Sequence, residues 1–308
     1  MILITEFMDD AAIAALRKYH DVVHIPDLAD NPDELARHVE SASALIVRNR
    51  TLVTEKLLLH ADRLECIGRL GVGLDNIDLA ACRKKGVAVY PATGANDRSV
   101  AEYVIAAAMM LLRRAYSANE TIIAGGWPRQ NCVGSEIHGK TLGLIGFGSI
   151  GQLTAEMAGA LGMEAIAFDP HLPPNNDAWK LAARRELDVL LSEADVISLH
   201  VPLAPETRNL IGAAELASMK SGSILINTSR GGTVDEDAVA DAIKSGKILG
   251  AALDVFGTEP PGRAGGARFK GVPNLLLTPH IAGVTLESNQ RVSMLIAEKV
   301  LVHLKDCD

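Results

Sequence analysis

The stretch Lys140-Thr-Leu-Gly-Leu-Ile-Gly-Phe-Gly-Ser-Ile-Gly151 decides how the rest of the chain is read. Thr141 to Ile145 is short, apolar and partly β-branched, the composition of a buried strand. Gly146, Gly148 and Gly151 then form G-x-G-x-x-G, and Gln152 to Leu161 continues as a helix that Gly162 ends. In such a strand–turn–helix the first glycine permits the tight turn, and the second lets a pyrophosphate approach the backbone. The third lets the helix pack close to the strand, with its N-terminal N–H groups aimed at the phosphates. The next strand, Glu164 to Phe168, leads into Asp169, 169 − 148 = 21 residues beyond the middle glycine. An acid at about that spacing bonds the ribose 2′-OH of NAD. No Arg or Lys lies between Pro170 and Trp179 to meet a 2′-phosphate, so NAD is expected over NADP.

A chain of 308 residues has room for about two domains. Its 48% hydrophobic and 22% charged residues allow large cores. A net charge of −8 and a pI near 5.6 argue against a nucleic-acid partner. The longest apolar run, Tyr103 to Leu112, has ten residues, too few to span a bilayer, so no membrane partner is expected. The start, Met1-Ile-Leu-Ile-Thr-Glu6, lacks the basic and long apolar regions of a signal peptide. Cys66, Cys82, Cys132 and Cys307 show no C-x-x-C spacing, so neither zinc nor a disulfide framework is indicated. A reduced, cytoplasmic protein is expected.

Outward from the glycine loop, strand and helix patterns alternate in both directions. Before it, Ile2–Thr5, Val22–Ile25, Ala44–Val47, Leu64–Ile67 and Val87–Tyr90 read as strands. Ala11–Tyr19, Pro32–Glu40 and Glu55–His60 read as helices between them, with Asn31 an N-cap. Arg48-Asn49-Arg50-Thr51 follows the third strand, and Gly71-Val72-Gly73 follows the fourth, where ligands of open α/β sheets sit. Exposed N–H groups at Gly71 to Gly73 suit a carboxylate. A long helix opens at Asn96 and runs to about Arg114, with Ser99 and Glu102 as an S-x-x-E capping box. Its body is apolar nearly all round and calls for burial on several sides, against the other domain or a second subunit.

After the loop, Val196–Leu199, Ser223–Thr228, Leu249–Val255 and Leu275–Thr278 read as further strands of a sheet covered on both faces. Asp235 to Ser245 reads as a helix closed by Gly246, Pro260 to Gly266 as a loop, and about Thr285 to Leu304 as a last helix packing back on the first domain. The late strands run into His200-Val201-Pro202, Ser229-Arg230, Asp254 with Glu259, and His280 with Gly283. In a parallel sheet these all gather on the edge that holds the cofactor. The set fits reversible hydride transfer to a 2-keto acid. The carbonyl oxygen needs a proton donor in histidine's range, His280. The carboxylate needs a planar bidentate cation, Arg230. An acid beside the imidazole, Glu259, holds its orientation and favours its protonated form.

These residues, with Val47-Arg-Asn-Arg-Thr51, Gly71-Val-Gly-Leu-Asp-Asn76, Arg98-Ser-Val-Ala-Glu102, Asn227-Thr-Ser-Arg-Gly231, Asp254-Val-Phe-Gly-Thr-Glu-Pro260 and Thr278-Pro-His280, resemble the D-isomer-specific 2-hydroxyacid dehydrogenase family. The likeness runs essentially end to end and is nearest the D-3-phosphoglycerate-dehydrogenase-like branch. It implies an α/β fold of two doubly wound parallel-sheet domains with a cleft between them. Residues 1–93 plus 285–308 would form a flavodoxin-like substrate domain, and 94–284 a Rossmann NAD-binding domain. It implies an Arg230, Glu259, His280 triad, with Ser149 and Ile150 at the pyrophosphate. Asp254 and the Thr228–Ser229 backbone would hold the nicotinamide end, and Val72, His200, Val201, Pro202, Arg230, His280 and Gly283 would complete the cofactor set beside Gly146, Gly148, Gly151 and Asp169. Arg48, Asn49, Arg50, Gly71, Val72, Gly73 and Arg129 would join Arg230 and His280 at the substrate, Arg129 reaching that of a neighbouring subunit. A homodimer built on the Ser99 to Arg114 helix is implied. So is the absence of serine feedback, since the chain stops soon after the final helix.

The several arginines point to a substrate with a second anion, phosphate or sulfonate, as in the 3-phosphoglycerate and phosphohydroxypyruvate pair. The phosphoglycerate pattern, however, has Arg-Ser where this chain has Arg48-Asn49. Two alternatives within the family stay open, a sulfolactate dehydrogenase and a glyoxylate/hydroxypyruvate reductase. A third, from another class, is an NAD-sensing binding protein like the co-repressors related to this family.

Overall fold

Short, fully buried and mostly apolar strands in both halves of the chain form two wholly parallel sheets, as expected for sheets covered on both faces. The computed structural model describes residues 1–114 and 118–305, and Cys307 lies outside them. The chain divides into two α/β units, Met1–Asn96 with the chain from Val284 onward, and Asp97–Gly283.

In the first unit β1 (Ile2–Ile4), β2 (Val22–His24), β3 (Ala44–Val47), β4 (Cys66–Arg69) and β5 (Ala88–Pro91) lie in the order β2-β1-β3-β4-β5. This is the flavodoxin-like order, whose switch point lies between β1 and β3. Ile4 pairs with Ile46 across that point, so Thr5-Glu6 and Val47-Arg48 leave the sheet side by side. The last helix, Leu286–Lys305, packs against Asp10–Arg17 and β4 and completes this core. Gly68 of β4 makes room for it, since a Cβ there would lie 2.4 Å from Ile296.

In the second unit β6 (Thr141–Ile145), β7 (Glu164–Phe168), β8 (Ala183–Arg184), β9 (Val196–Leu199), β10 (Ile224–Asn227), β11 (Gly250–Leu253) and β12 (Leu275–Leu277) take the order β12-β11-β10-β9-β6-β7-β8. This is the Rossmann order with one strand added, and its switch point falls between β6 and β9.

Several local expectations need correction. A helix at Leu79–Lys85, capped by the Asp78 side chain, fills the β4–β5 crossover that the sequence left unassigned, and β4 lies two residues later than expected. The long helix spans Asp97–Arg113, so Ser99 is a buried residue of its first turn and no Ser99–Glu102 capping box forms. Val104, Ala108, Leu111 and Leu112 of that helix pack in the core of their own unit, beside the helix Ser149–Ala160. Its apolar girth is therefore largely accounted for without a partner. The glycine-rich Pro260 loop contains a short helix, Gly262–Ala267. As expected, Asn31 caps Pro32–Val39, its Oδ1 accepting from Glu34 N–H. Among the described residues no helix is long and apolar enough to cross a membrane, and no cluster of His, Cys, Asp or Glu suits a metal ion. Cys66, Cys82 and Cys132 form no disulfide among the described residues; the first two are buried and the third is half-buried.

Candidate active site

Gly146 leaves β6 at the switch point with φ +91°, a conformation that favours glycine, and a Cβ there would lie 2.5 Å from the His200 carbonyl oxygen. The β6 and β9 exits can touch only because that side chain is missing. A Cβ on Gly151 would lie 2.7 Å from Gly146 O, so the helix Ser149–Ala160 starts hard against the turn. Gly148 differs, since a Cβ there would meet nothing within 4 Å. No side chain caps this helix, so its first N–H groups face that open space. The arrangement fits a pyrophosphate.

Asp169 does more than face a ribose. Its Oδ2 accepts from Phe147 N–H at 2.8 Å, and its Oδ1 from His171 and Leu172 N–H at 2.9 and 3.1 Å. The carboxylate thus ties the glycine loop to the end of β7, and has roughly one of its four acceptor positions left for a hydroxyl. His200 keeps some exposed surface, yet its ring is enclosed enough that burial lowers its pKa to about 4. At neutral pH it is uncharged, with Nε2 3.0 Å from Ser198 Oγ.

The structure brings the three triad residues together at the ends of β10, β11 and β12. Glu259 Oε2 lies 2.7 Å from His280 Nδ1, and its Oε1 accepts from Phe256 N–H at 3.0 Å. Burial works against the Glu259 charge, but the His280 and Phe256 bonds and the nearby Arg230 charge outweigh it and hold its pKa below the ordinary value. Glu259 is therefore ionised at neutral pH, and His280 Nδ1 is the donor of that bond. The other ring nitrogen, Nε2, takes no part in that bond.

Asn227 and Asp254 hold this set in place. Asn227, 2% exposed, accepts from Ser229 N–H and Oγ–H and donates to Arg230 O and Thr233 Oγ1, folding the Thr228–Arg230 turn around one amide. Asp254, 1% exposed, accepts from Thr278 Oγ–H at 2.6 Å and from Ile281 and Ala282 N–H at 2.8 Å each. Its carboxylate grips the chain on both sides of His280. Beside its expected place at the nicotinamide end, Asp254 thus positions the imidazole. Tyr103 extends the chain, with its hydroxyl 2.5 Å from Thr278 Oγ1. In the sequence Asn227 stands in a motif with no role assigned to it, and Asp254 is expected only at the nicotinamide end.

In the first unit the expected substrate loops differ among themselves. Arg48 is half-buried, donates to Asn289 Oδ1 at 3.0 Å and lies over the Phe7 ring. Asn49 is exposed. Arg50 is exposed, and its guanidinium is paired with Asp30 and Asp27 on the surface. Gly71 is buried and its N–H donates to Arg69 O. The N–H groups of Val72 and Gly73 find no partner among the described residues and keep the carboxylate reading alive. Arg129, in the second unit, is exposed on a short turn of helix after Trp127-Pro128.

The family model for the D-isomer specific 2-hydroxyacid dehydrogenase NAD binding domain matches residues 105–282. The (S)-sulfolactate dehydrogenase of Chromohalobacter salexigens is 49% identical over 97% of this chain and 96% of its own length. The D-3-phosphoglycerate dehydrogenase of Synechocystis is 38% identical over 97% of this chain, which spans only about half, 53%, of that protein. Among solved structures, the D-lactate dehydrogenase of Aquifex aeolicus in complex with NAD and lactic acid superposes with a TM-score of 0.88 at 30% identity, covering 99% of this chain and 96% of its own. The chain belongs to the D-isomer specific 2-hydroxyacid dehydrogenase family and is an NAD-dependent oxidoreductase.

Proposed function

We propose that the substrate is a short 2-keto or 2-hydroxy acid whose far end carries a single negative charge, a sulfonate above all. The observation that carries this is the engagement of Arg50 with Asp27 and Asp30, which leaves Arg48 as the cation the Val47–Thr51 loop can turn toward a ligand. One guanidinium matches a sulfonate's single charge. A phosphate monoester carries about −1.5 to −2 at neutral pH and favours a denser set of donors. The sulfolactate dehydrogenase relative, matched almost end to end, points the same way.

In this reading bound NADH supplies the hydride, and the protein supplies orientation, charge and a proton. Arg230 binds the keto acid's carboxylate and polarises its carbonyl as a planar donor. His280 hands its Nε2 proton to the carbonyl oxygen and recovers it in the reverse direction. Glu259 keeps the imidazole in the orientation that presents Nε2. Gly146, Gly148 and Gly151 with the N–H groups of Ser149 and Ile150 hold the pyrophosphate, and Asp169 a ribose hydroxyl. Pro202, Val201 and neutral His200 line the coenzyme's path, and Thr228, Ser229, Asp254 and Gly283 its nicotinamide end.

Steady-state kinetics on sulfopyruvate, phosphohydroxypyruvate, hydroxypyruvate and glyoxylate test the proposal. The highest kcat/KM is expected for sulfopyruvate, with Arg48→Ala lowering it about 10- to 100-fold, the worth of a charge-assisted bidentate contact. A wild-type preference for phosphohydroxypyruvate returns the phosphate reading, and a preference for glyoxylate rejects the second anion altogether.

For the coenzyme, the Asp169 carboxylate would repel a 2′-phosphate where a hydroxyl is welcome. NADH is expected to outperform NADPH by about 100-fold or more in kcat/KM, the size of one like-charge contact in a partly desolvated site. Equal use of the two coenzymes rejects that role. We also propose a homodimer in a reduced, cytoplasmic setting. The exposed side chains of Ile123 and Trp127, 85% and 80% accessible, follow the Asp97–Arg113 helix and suit a subunit contact that would bring Arg129 to a neighbour.

A further inference from the structure

The switch point of the first sheet lies between β1 and β3, the place where open α/β sheets usually admit a ligand. Here it is filled from within. Glu6, the second residue past β1 and 3% exposed, points its carboxylate into the Arg48–Thr51 loop. Oε1 accepts from Arg48 and Thr51 N–H at 2.8 and 3.0 Å, and Oε2 from Arg50 N–H at 3.0 Å. Three amides of one short loop converging on a point make an anion nest, and the protein has put its own anion in it.

The opposite side of the loop is held with equal care. Asn76 Nδ2 donates to Arg48 O at 3.1 Å and to Thr51 O at 2.7 Å. Thr5 Oγ1 lies 2.7 Å from Thr51 Oγ1. With three of its amides taken by Glu6 and two of its carbonyls by Asn76, the donors the loop has left for an anion are its side chains and the Asn49 N–H. Of these, Arg48 is steered by Asn289 and Phe7, and Arg50 is turned away to Asp27 and Asp30.

We propose that Glu6 is a specificity-determining positioning residue. By occupying the backbone nest it denies those amides to the substrate's far anion and makes Arg48 the group that reads it. The inference rests on the reading of this loop as the contact for the substrate's second anion. Glu6 reaches no reacting atom and acts only through the loop.

The test compares Glu6→Gln with wild type on sulfopyruvate and on glyoxylate, which has no charged tail. A glutamine puts an amide NH2 against a backbone N–H and loses the charge. KM for sulfopyruvate is expected to rise about tenfold or more, the loss of one charge-assisted hydrogen bond, with kcat within about threefold. KM for glyoxylate and the NADH Kd, read by fluorescence titration, are expected to stay within about threefold, because the change concerns only the far anion. Equal KM increases on the two substrates, or no change on either, overturn the proposal. Should Glu6→Gln not fold, as judged by circular dichroism, Glu6→Asp carries the same comparison, since it keeps the charge and shortens the reach. Arg48→Ala run in parallel separates the two failures. If Arg48→Ala shows no selectivity, the reading of the loop falls and this inference with it. If Arg48→Ala is selective and the Glu6 variants are not, the Glu6 inference alone falls.

Discussion

His280→Gln lowers kcat by about 100- to 10,000-fold in both directions, the usual contribution of a positioned general acid–base, while NADH still binds. Glutamine approximates the imidazole's size and can still donate a hydrogen bond, but it cannot exchange a proton at neutral pH. The structure makes the substitution informative because the position is over-determined. His280 sits at φ +57°, a left-handed conformation that non-glycine residues rarely adopt and that costs roughly 1–3 kcal/mol. Its N–H donates to Asp254 O at 2.8 Å and Thr278 O at 3.0 Å, and the Asp254 carboxylate holds Thr278, Ile281 and Ala282 around it. The backbone therefore keeps its shape in the variant, and the loss reports chemistry rather than collapse. Stopped-flow single turnover with NADH absorbance measures the chemical step, and fluorescence titration measures coenzyme binding. A variant retaining more than about a tenth of wild-type kcat would remove His280 from the role of acid. A wild-type protein that binds NADH but turns over none of the four keto acids would favour the sensor reading instead.

Gly231→Ala is expected to lower kcat/KM by about 100-fold, the cost of misplacing catalytic groups by about 1 Å. Gly231 follows Arg230, and a Cβ on it would lie 1.8 Å from Phe256 O and 2.0 Å from its carbonyl carbon. Those atoms are backbone and cannot swing aside, so the two loops must separate. Phe256 N–H is what Glu259 Oε1 accepts from, and the next N–H, of Gly257, bonds Glu236 Oε1 at 2.6 Å. Any separation moves the Glu259 turn away from Arg230 while the Glu259–His280 pair stays joined. Overpacking of this kind also destabilises by about 1–3 kcal/mol, a fall in Tm of roughly 2–10 °C for a protein of this size. Gly266→Ala is the control, since a Cβ there meets nothing within 4 Å. Retention of kcat/KM within about threefold in Gly231→Ala would show that the close approach has no part in aligning the site.

How much of this was readable from the chain differs between its layers. The two runs of parallel strands, the glycine loop, Asp169 and the convergence of Arg230, Glu259 and His280 could be read directly. Each rests on a local pattern: burial on both sheet faces needs continuous apolar strands, and a phosphate turn needs glycines at set spacing. Parallel connection then places every strand's exit loop on one edge, so order along the chain becomes proximity in space. The helix Leu79–Lys85 was missed because its polar, basic face hides a short apolar stripe. Ser99 was misread because an S-x-x-E pattern inside a helix looks the same as one at its start.

Hydrogen-bond partners were beyond the sequence, because they depend on which loops the sheet order sets side by side. Glu6 and Arg48 are 42 positions apart, and only the β1–β3 pairing brings the carboxylate to the loop's amides. Arg48 and Arg50 are the same residue type two positions apart, yet one meets Asn289 from the far end of the chain and the other meets Asp27 and Asp30. Asp254 read as a nicotinamide contact, and it took the register of β11 against β12 to show it gripping the chain around His280. Local composition thus determined the kind of chemistry and its main residues, while tertiary packing decided which charges face a ligand, because a side chain's partner is set by what the fold places opposite it.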